Sequence, residues 1–219
     1  MTQSFRRARL VLLMAGAMTT LGACKRSGEL VVDQGVGVTA VRSKCPAVGV
    51  PAYTGDITTF RGGQTTAAAM DVAATITNLR STCNEEGAQI YSDVTFDVYA
   101  RRSDVSGARS VDLPYFVTVL RGGNAVLSKR VGTVRVDFAD GAERGEGRAA
   151  GAAYIDAAEA TLPAEIRTKI TRRRRAGDVD AALDPLADPD VKAAVARATF
   201  EVLIGFQLDE RQLAYNATR

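Results

Sequence analysis

The sequence predicts a mainly β protein built as an antiparallel β-sandwich, and three observations predict it. Apolar and polar residues alternate over several runs, turn-forming Gly and Asn residues separate those runs, and no long stretch has the spacing of an amphipathic helix. The chain has 219 residues, 46% hydrophobic and 24% charged, which is long enough to bury a core and too apolar for wholesale disorder.

The strands follow in order. Met70, Val72, Ala74 and Ile76 alternate with Asp71, Ala73, Thr75 and Thr77, so a strand is expected over 70–79. Val94, Phe96 and Val98 alternate with Thr95, Asp97 and Tyr99 in the next. Leu113, Tyr115, Val117 and Val119 share one face of a third, and Arg121-Gly122-Gly123-Asn124 after it reverses the chain as a hairpin. Val134, Val136 and Phe138 then alternate with Thr133, Arg135 and Asp137. Gly141 to Arg148 reads as a turn leading into a run that holds Tyr154 and Ile155 and ends near Ala160. The last strand is the most regular: Ala198, Phe200, Val202, Ile204, Phe206 and Leu208 occupy one face. Strands that each hide one face imply two sheets packed against each other. The pattern resembles immunoglobulin-like or fibronectin-like domains in architecture only, because a core Trp is absent.

One segment breaks the rhythm. Residues 164–190 are too long for a sandwich turn and are expected to form a long charged loop before the last strand. It is basic first (Arg167, Lys169, Arg172, Arg173, Arg174, Arg175) and acidic afterwards (Asp178, Asp180, Asp184, Asp188, Asp190). Leu162 to Arg175 is read as a short helix or an extended arm. Pro185 and Pro189 interrupt any helix in the second half, and Asp190 is placed to cap a helical turn over Lys192–Ala196. Arg172 to Arg175 are the candidate partner contact, a cationic patch suited to an anionic lipid surface or an acidic protein.

The N-terminus reads as an address. Arg6, Arg7 and Arg9 precede an apolar stretch, Leu10 to Leu21, shorter than the roughly 20 residues that span a bilayer. It ends in Leu21-Gly22-Ala23-Cys24, which resembles the lipobox of bacterial lipoproteins. The resemblance implies cleavage between Ala23 and Cys24, diacylation of Cys24 with fatty chains such as palmitate, and stable anchoring. Lys25 after the lipidated residue favours the outer membrane, periplasmic leaflet, by the proteobacterial sorting rule; the periplasmic face of the inner membrane is the alternative. The organisation expected is thus a signal peptide over 1–23, a tether over 24–44, and the β-sandwich domain over 45–219. Within the tether, Leu30–Val32 and Val36–Val41 are short-strand candidates.

With Cys24 given to lipid, Cys45 and Cys83 are the remaining thiols, and an oxidising compartment would join them. Setting aside Arg6, Arg7 and Arg9 leaves 25 basic residues against 25 acidic ones, so there is no electrostatic case for nucleic acid. The chain has no His, which removes Ser-His-Asp chemistry and the commonest metal ligand; no cofactor or metal is expected. The acidic run lacks the Gly and terminal Glu of a calcium loop, and Glu85-Glu86 reads as solvated charge. Asn216-Ala217-Thr218 is a glycosylation sequon in hosts that use it. The function expected is a non-enzymatic envelope lipoprotein that contacts another envelope protein. The alternative is a binding or carrier module for lipid, glycolipid or peptidoglycan, which needs a lined cavity. The body resembles uncharacterised small envelope lipoproteins of proteobacteria.

Overall fold

Alternation in the sequence becomes alternation of burial in the computed structural model, which describes residues 43–218. The described chain divides into a β unit, residues 43–172 and 183–218, and a short separate unit, residues 173–182. The strands of the β unit are β1 (Ala47–Gly49), β2 (Asp56–Phe60), β3 (Met70–Asn84), β4 (Gln89–Arg102), β5 (Arg109–Arg121), β6 (Ala125–Phe138), β7 (Arg144–Asp156) and β8 (Phe200–Phe206). The predicted inner residues Val72, Ala74, Ile76, Val94, Phe96, Val98, Leu113, Val134, Val136, Phe138, Phe200, Val202, Ile204 and Phe206 are all buried in one cluster. Burying a side chain of this size is worth roughly 1.5–3 kcal/mol, and this repeated term drives the fold.

The strands form one mixed sheet, in the order β1-β8-β5-β6-β7-β4-β3-β2, curled into a half-barrel. This replaces the two antiparallel sheets expected: the inner faces meet by curling of one sheet, and β1 runs parallel to β8. Residues 50–55 explain the curl. They link β1, beside β8 at one edge, to β2, beside β3 at the other. Within them Thr54 O accepts from Phe206 N at 2.7 Å and Gly55 O accepts from Ile76 N at 2.8 Å. The two ends of the sheet are therefore stitched by neighbouring peptide groups.

Several strands differ from the alternation, among them the last, which runs only from Phe200 to Phe206. The short strands β1 and β2 carry no pattern long enough to read. β3 continues to Asn84 because a bulge between Thr77 and Arg80 absorbs the break in period. Asn78 takes a left-handed φ of 51° there, which Asn tolerates better than most residues. β7 starts at Arg144, so Arg144–Arg148, read as turn, is strand paired to β4 from Arg101 to Asp97.

The long charged loop is not found. Its first part is helix α1 (Ala164–Thr171) and its end opens helix α2 (Pro189–Arg197), with a 3-10 turn at Pro185–Ala187. Pro189 begins α2 instead of interrupting it, because the first helical position needs no N–H donor. The cap is Asp188, not Asp190: its Oδ1 accepts from Asp190 N at 2.9 Å and Val191 N at 3.4 Å. Asp188 also pairs with Lys169 of α1, fastening the two helices. A third helix, α3 (Glu210–Thr218), went unread, although Asp209-Glu210-Arg211-Gln212 has capping-box spacing. Asp209 N donates to Gln212 Oε1 and Gln212 N donates back to Asp209 Oδ1.

Arg102, at the end of β4, holds the opposite end of the sheet together. It is buried, and its guanidinium donates to the carbonyl oxygens of Ala142, Gly107, Val105 and Ala139, each at 2.8 Å. One side chain thereby satisfies the β4–β5 and β6–β7 connections, and it stacks 5.3 Å from the centre of the Phe138 ring. Arg102→Lys supplies one compact head for a fork of donors, and Arg102→Ala takes a donor from all four carbonyls, of which Val105 O and Ala139 O keep the Gly141 and Ala142 backbone N–H. Both should lower stability, the Ala variant by about 3 kcal/mol or more, as read by urea unfolding. An unchanged unfolding midpoint for Arg102→Ala would contradict this role.

Candidate functional site

The residues singled out from the sequence fare differently. Ala23, Cys24 and the tether up to residue 42 lie outside the described residues. Cys45 and Cys83 are bonded, with Cα atoms 6.1 Å apart, comfortably within disulfide reach. Beside the bond, the Glu85 carboxylate accepts from Ser43 Oγ. That bond, reinforced by the Lys44 and Cys45 backbone, holds the carboxyl below its ordinary value. Glu85 is thus a fastening for the incoming chain and not merely solvated charge.

The arginine run is not one exposed patch. Arg172, Arg173 and Arg175 are exposed, but Arg174 is 3% exposed, with Nε 3.5 Å from Asp180 Oδ2. The acidic residues that follow serve as local caps. Asp178 accepts from Arg175 N, Asp184 from Leu186 N, and Asp188 from the start of α2. This turn chemistry accounts for an acidic run that resembles a cation loop only in composition. Among the described residues no group of three or more Cys, Asp or Glu is placed to hold a metal ion. Asn216 of the sequon is buried, and its Nδ2 donates to Tyr53 O and Asp56 O, both at 2.8 Å. In the folded chain that nitrogen belongs to the fold.

A groove beside β5, β6 and β7 was not signalled by any motif. β5 and β6 pair along their length, from Arg109–Phe138 to Arg121–Ala125, and β4 and β7 likewise from Gln89–Asp156 to Arg101–Arg144. Between β6 and β7 the ladder is a single pair, Asp137 with Glu146. The inner face of β7 explains why: it reads Gly145, Gly147, Ala149, Gly151, Ala153. A Cβ on Gly147 would lie 2.3 Å from Arg135 O, and one on Gly151 would lie 2.5 Å from a Val117 methyl. β7 thus lies close on the β6 backbone at Arg135 and Asp137 and reaches Val117 of β5 further along. Tyr115 OH fixes the contact by donating to Ala150 O at 2.8 Å. Burial pushes the Tyr115 hydroxyl up in pKa, which keeps it protonated as the donor.

Past that contact β6 and β7 part and enclose a groove of about 450 Å³. Its floor is β5 (Tyr115, Val117, Val119), and its walls are residues 128 and 130–132 of β6 and 150–154 of β7. Val131 and Tyr154 on the rims are 60% and 66% exposed, and Tyr154 leans on Tyr91 with ring centres 4.9 Å apart. The one charged lining residue is Arg130. Nothing in this set of hydroxyls, apolar groups and one guanidinium assembles a nucleophile with a base. The sequence signal that could have found the groove is the small-residue alternation on β7, which marks a close approach of strands. No family model, curated protein or solved structure matches the chain.

On the outer face below the groove, charges are paired across strands. Asp97 accepts from Arg148 Nε at 2.7 Å and Asn78 Nδ2 at 2.6 Å, and both bonds hold its carboxyl below the ordinary range, Arg148 most strongly. Asp71 is lowered by a two-pronged bond from Arg109 at 2.8 and 2.6 Å. Carboxylates depressed by folding contribute stability that is complete above their unfolded values, about pH 4, and is lost as pH falls through the lower folded values. The melting temperature should therefore fall between pH 5 and pH 2, and Asp97→Asn should flatten part of that fall. A melting temperature independent of pH across that window would contradict the ion-pair account. Within the arginine run, Arg174→Glu should loosen residues 173–182, seen as faster backbone hydrogen exchange confined to that unit; unchanged exchange there would contradict a buried role for Arg174.

Proposed function

We propose that this chain is a non-enzymatic lipoprotein of the cell envelope, anchored by lipid at Cys24. In this reading it acts as a structural or protein-interaction module on the periplasmic side of the outer membrane. The observation that carries the reading is the Cys45–Cys83 bond. A structural disulfide suits an oxidising compartment, and its formation uses two of the three cysteines. The third, Cys24, closes Leu21-Gly22-Ala23-Cys24 after an apolar run too short to cross a bilayer. A tether extended from Cys24 to Ser43 reaches at most about 65 Å, so the β unit could work well clear of the lipid. The groove supports a binding role over a purely structural one.

Metabolic labelling with a palmitate analogue, with intact mass of the purified protein, tests the anchor. The parent should carry diacylglycerol on Cys24 and sediment with outer membrane. Cys24→Ser should take up no label, while Cys45 and Cys83 remain bonded. A parent protein with an unmodified mature N-terminus at another residue would overturn the reading.

A further inference from the structure

The groove is bordered by backbone with no strand beside it. The carbonyls of Arg135 and Asp137 face β7, and the strand pairs with β5 without a break from Ser128 to Phe138. Alternation therefore turns the backbone groups of Lys129 and Val131 toward the groove as well, beyond the single Asp137–Glu146 pair. An edge of this kind, flanked by exposed Val126, Leu127 and Val131, is a template for strand addition. We propose that the groove binds an extended, acidic segment of a partner protein, added as a strand to the edge of β6. The proposal deepens the interaction-module reading and uses no residue of the Cys24 test.

Size, chemistry and charge point to the same occupant. The stretch of β6 beside the groove, residues 128–132, accepts about 13–16 Å of strand, four or five residues. An extended peptide places alternate side chains on opposite faces, so every second residue meets the apolar floor of Val117 and Val119 while the others face solvent. Arg130 lines the groove with no carboxylate among its described lining residues, whereas Lys129, next to it in β6, sits over the Phe116 ring at 4.9 Å. The neighbouring Arg135 and Arg148 are already paired with Asp112 and Asp97. The unspent charge is positive, which selects an acidic segment. An acyl chain would fill the volume but leave the Lys129 and Val131 backbone groups without partners, and covering them dry is costly.

The test uses the full-length purified protein and a capped, fluorescein-labelled peptide of alternating valine and glutamate, read by anisotropy. Two companion probes are the same peptide with alternate backbone amides N-methylated and a valine–lysine counterpart. The valine–glutamate peptide should bind, and both companions should bind at least about tenfold more weakly. Val131→Pro removes a groove-facing N–H and leaves the β5 ladder intact, so it should abolish binding with the melting temperature retained. Arg130→Glu should weaken the glutamate peptide and strengthen the lysine one, which keeps the proposal testable should the proline variant not fold. No binding of the valine–glutamate peptide, equal binding of the N-methylated one, or displacement of the peptide by palmitate at lower concentration would overturn the proposal. So would a dimer that the peptide dissociates, since a second copy would then own the edge. In each of these results lipidation at Cys24 can still be present, so the anchor reading stands or falls separately.

Discussion

The small inner face of β7 sets the geometry of the whole sheet. Side chains at Gly145, Gly147 and Gly151 would collide with the Asp137 and Arg135 carbonyls and with Val117. Because they are absent, β7 can lie close to the β6 backbone at one end and to Val117 of β5 further along. The same closeness takes β7 out of line with the upper part of β6, which loses a ladder partner. Closure of the core and opening of the groove are therefore one event seen from two sides. A bulkier β7 would give a flatter sheet, a wetter core and no groove.

The other side of the half-barrel is closed by backbone instead of side-chain volume. Thr54 and Gly55 bond to β8 and β3 respectively, and Asn216 of α3 locks the same segment by bonding Tyr53 and Asp56. Tyr53 has a left-handed φ of 66°, a conformation few non-glycine residues take unless their surroundings fix it. Phe60 meets Tyr215 edge-on, so α3 also covers the free side of β2. The sheet thus has one sealed seam and one open one. The seam held by peptide bonds and a helix is rigid; the seam at β6 and β7 retains unspent hydrogen-bonding capacity.

Most of the core was legible in the sequence, because period-2 alternation is a direct image of a half-buried strand. Val94–Val98, Val134–Phe138 and Phe200–Phe206 show that alternation in their places, although Ala198 closes α2 and Leu208 lies past the end of β8. What was not legible depends on contacts between residues far apart in the chain. β1 and β2 are too short to show a period and exist because β8 and β3 wait for them. Arg102 reads as an ordinary strand-end cation until four carbonyls converge on it. The charged stretch from 164 to 190 has the composition of a loop, yet its prolines and aspartates mark helix and turn starts, a distinction that lies in position. The groove is legible only in part: Gly-x-Gly-x-Ala-x-Gly-x-Ala announces close packing but not which neighbour is left without a partner.

The disulfide lies two residues before β1, and its other end is in β3. Tension that reaches the folded unit from the N-terminal side meets the Ser43–Glu85 hydrogen bond and then the covalent bond at Cys45. There it passes into β3 through a covalent bond and spreads over a strand paired to β4 from Val72 to Asn84. β1, joined to β8 by only three residue pairs, would by itself be peeled away one bond at a time. The cross-link takes β1 out of the load path, so a pull on the chain before Cys45 is carried by β3 and its long ladder to β4.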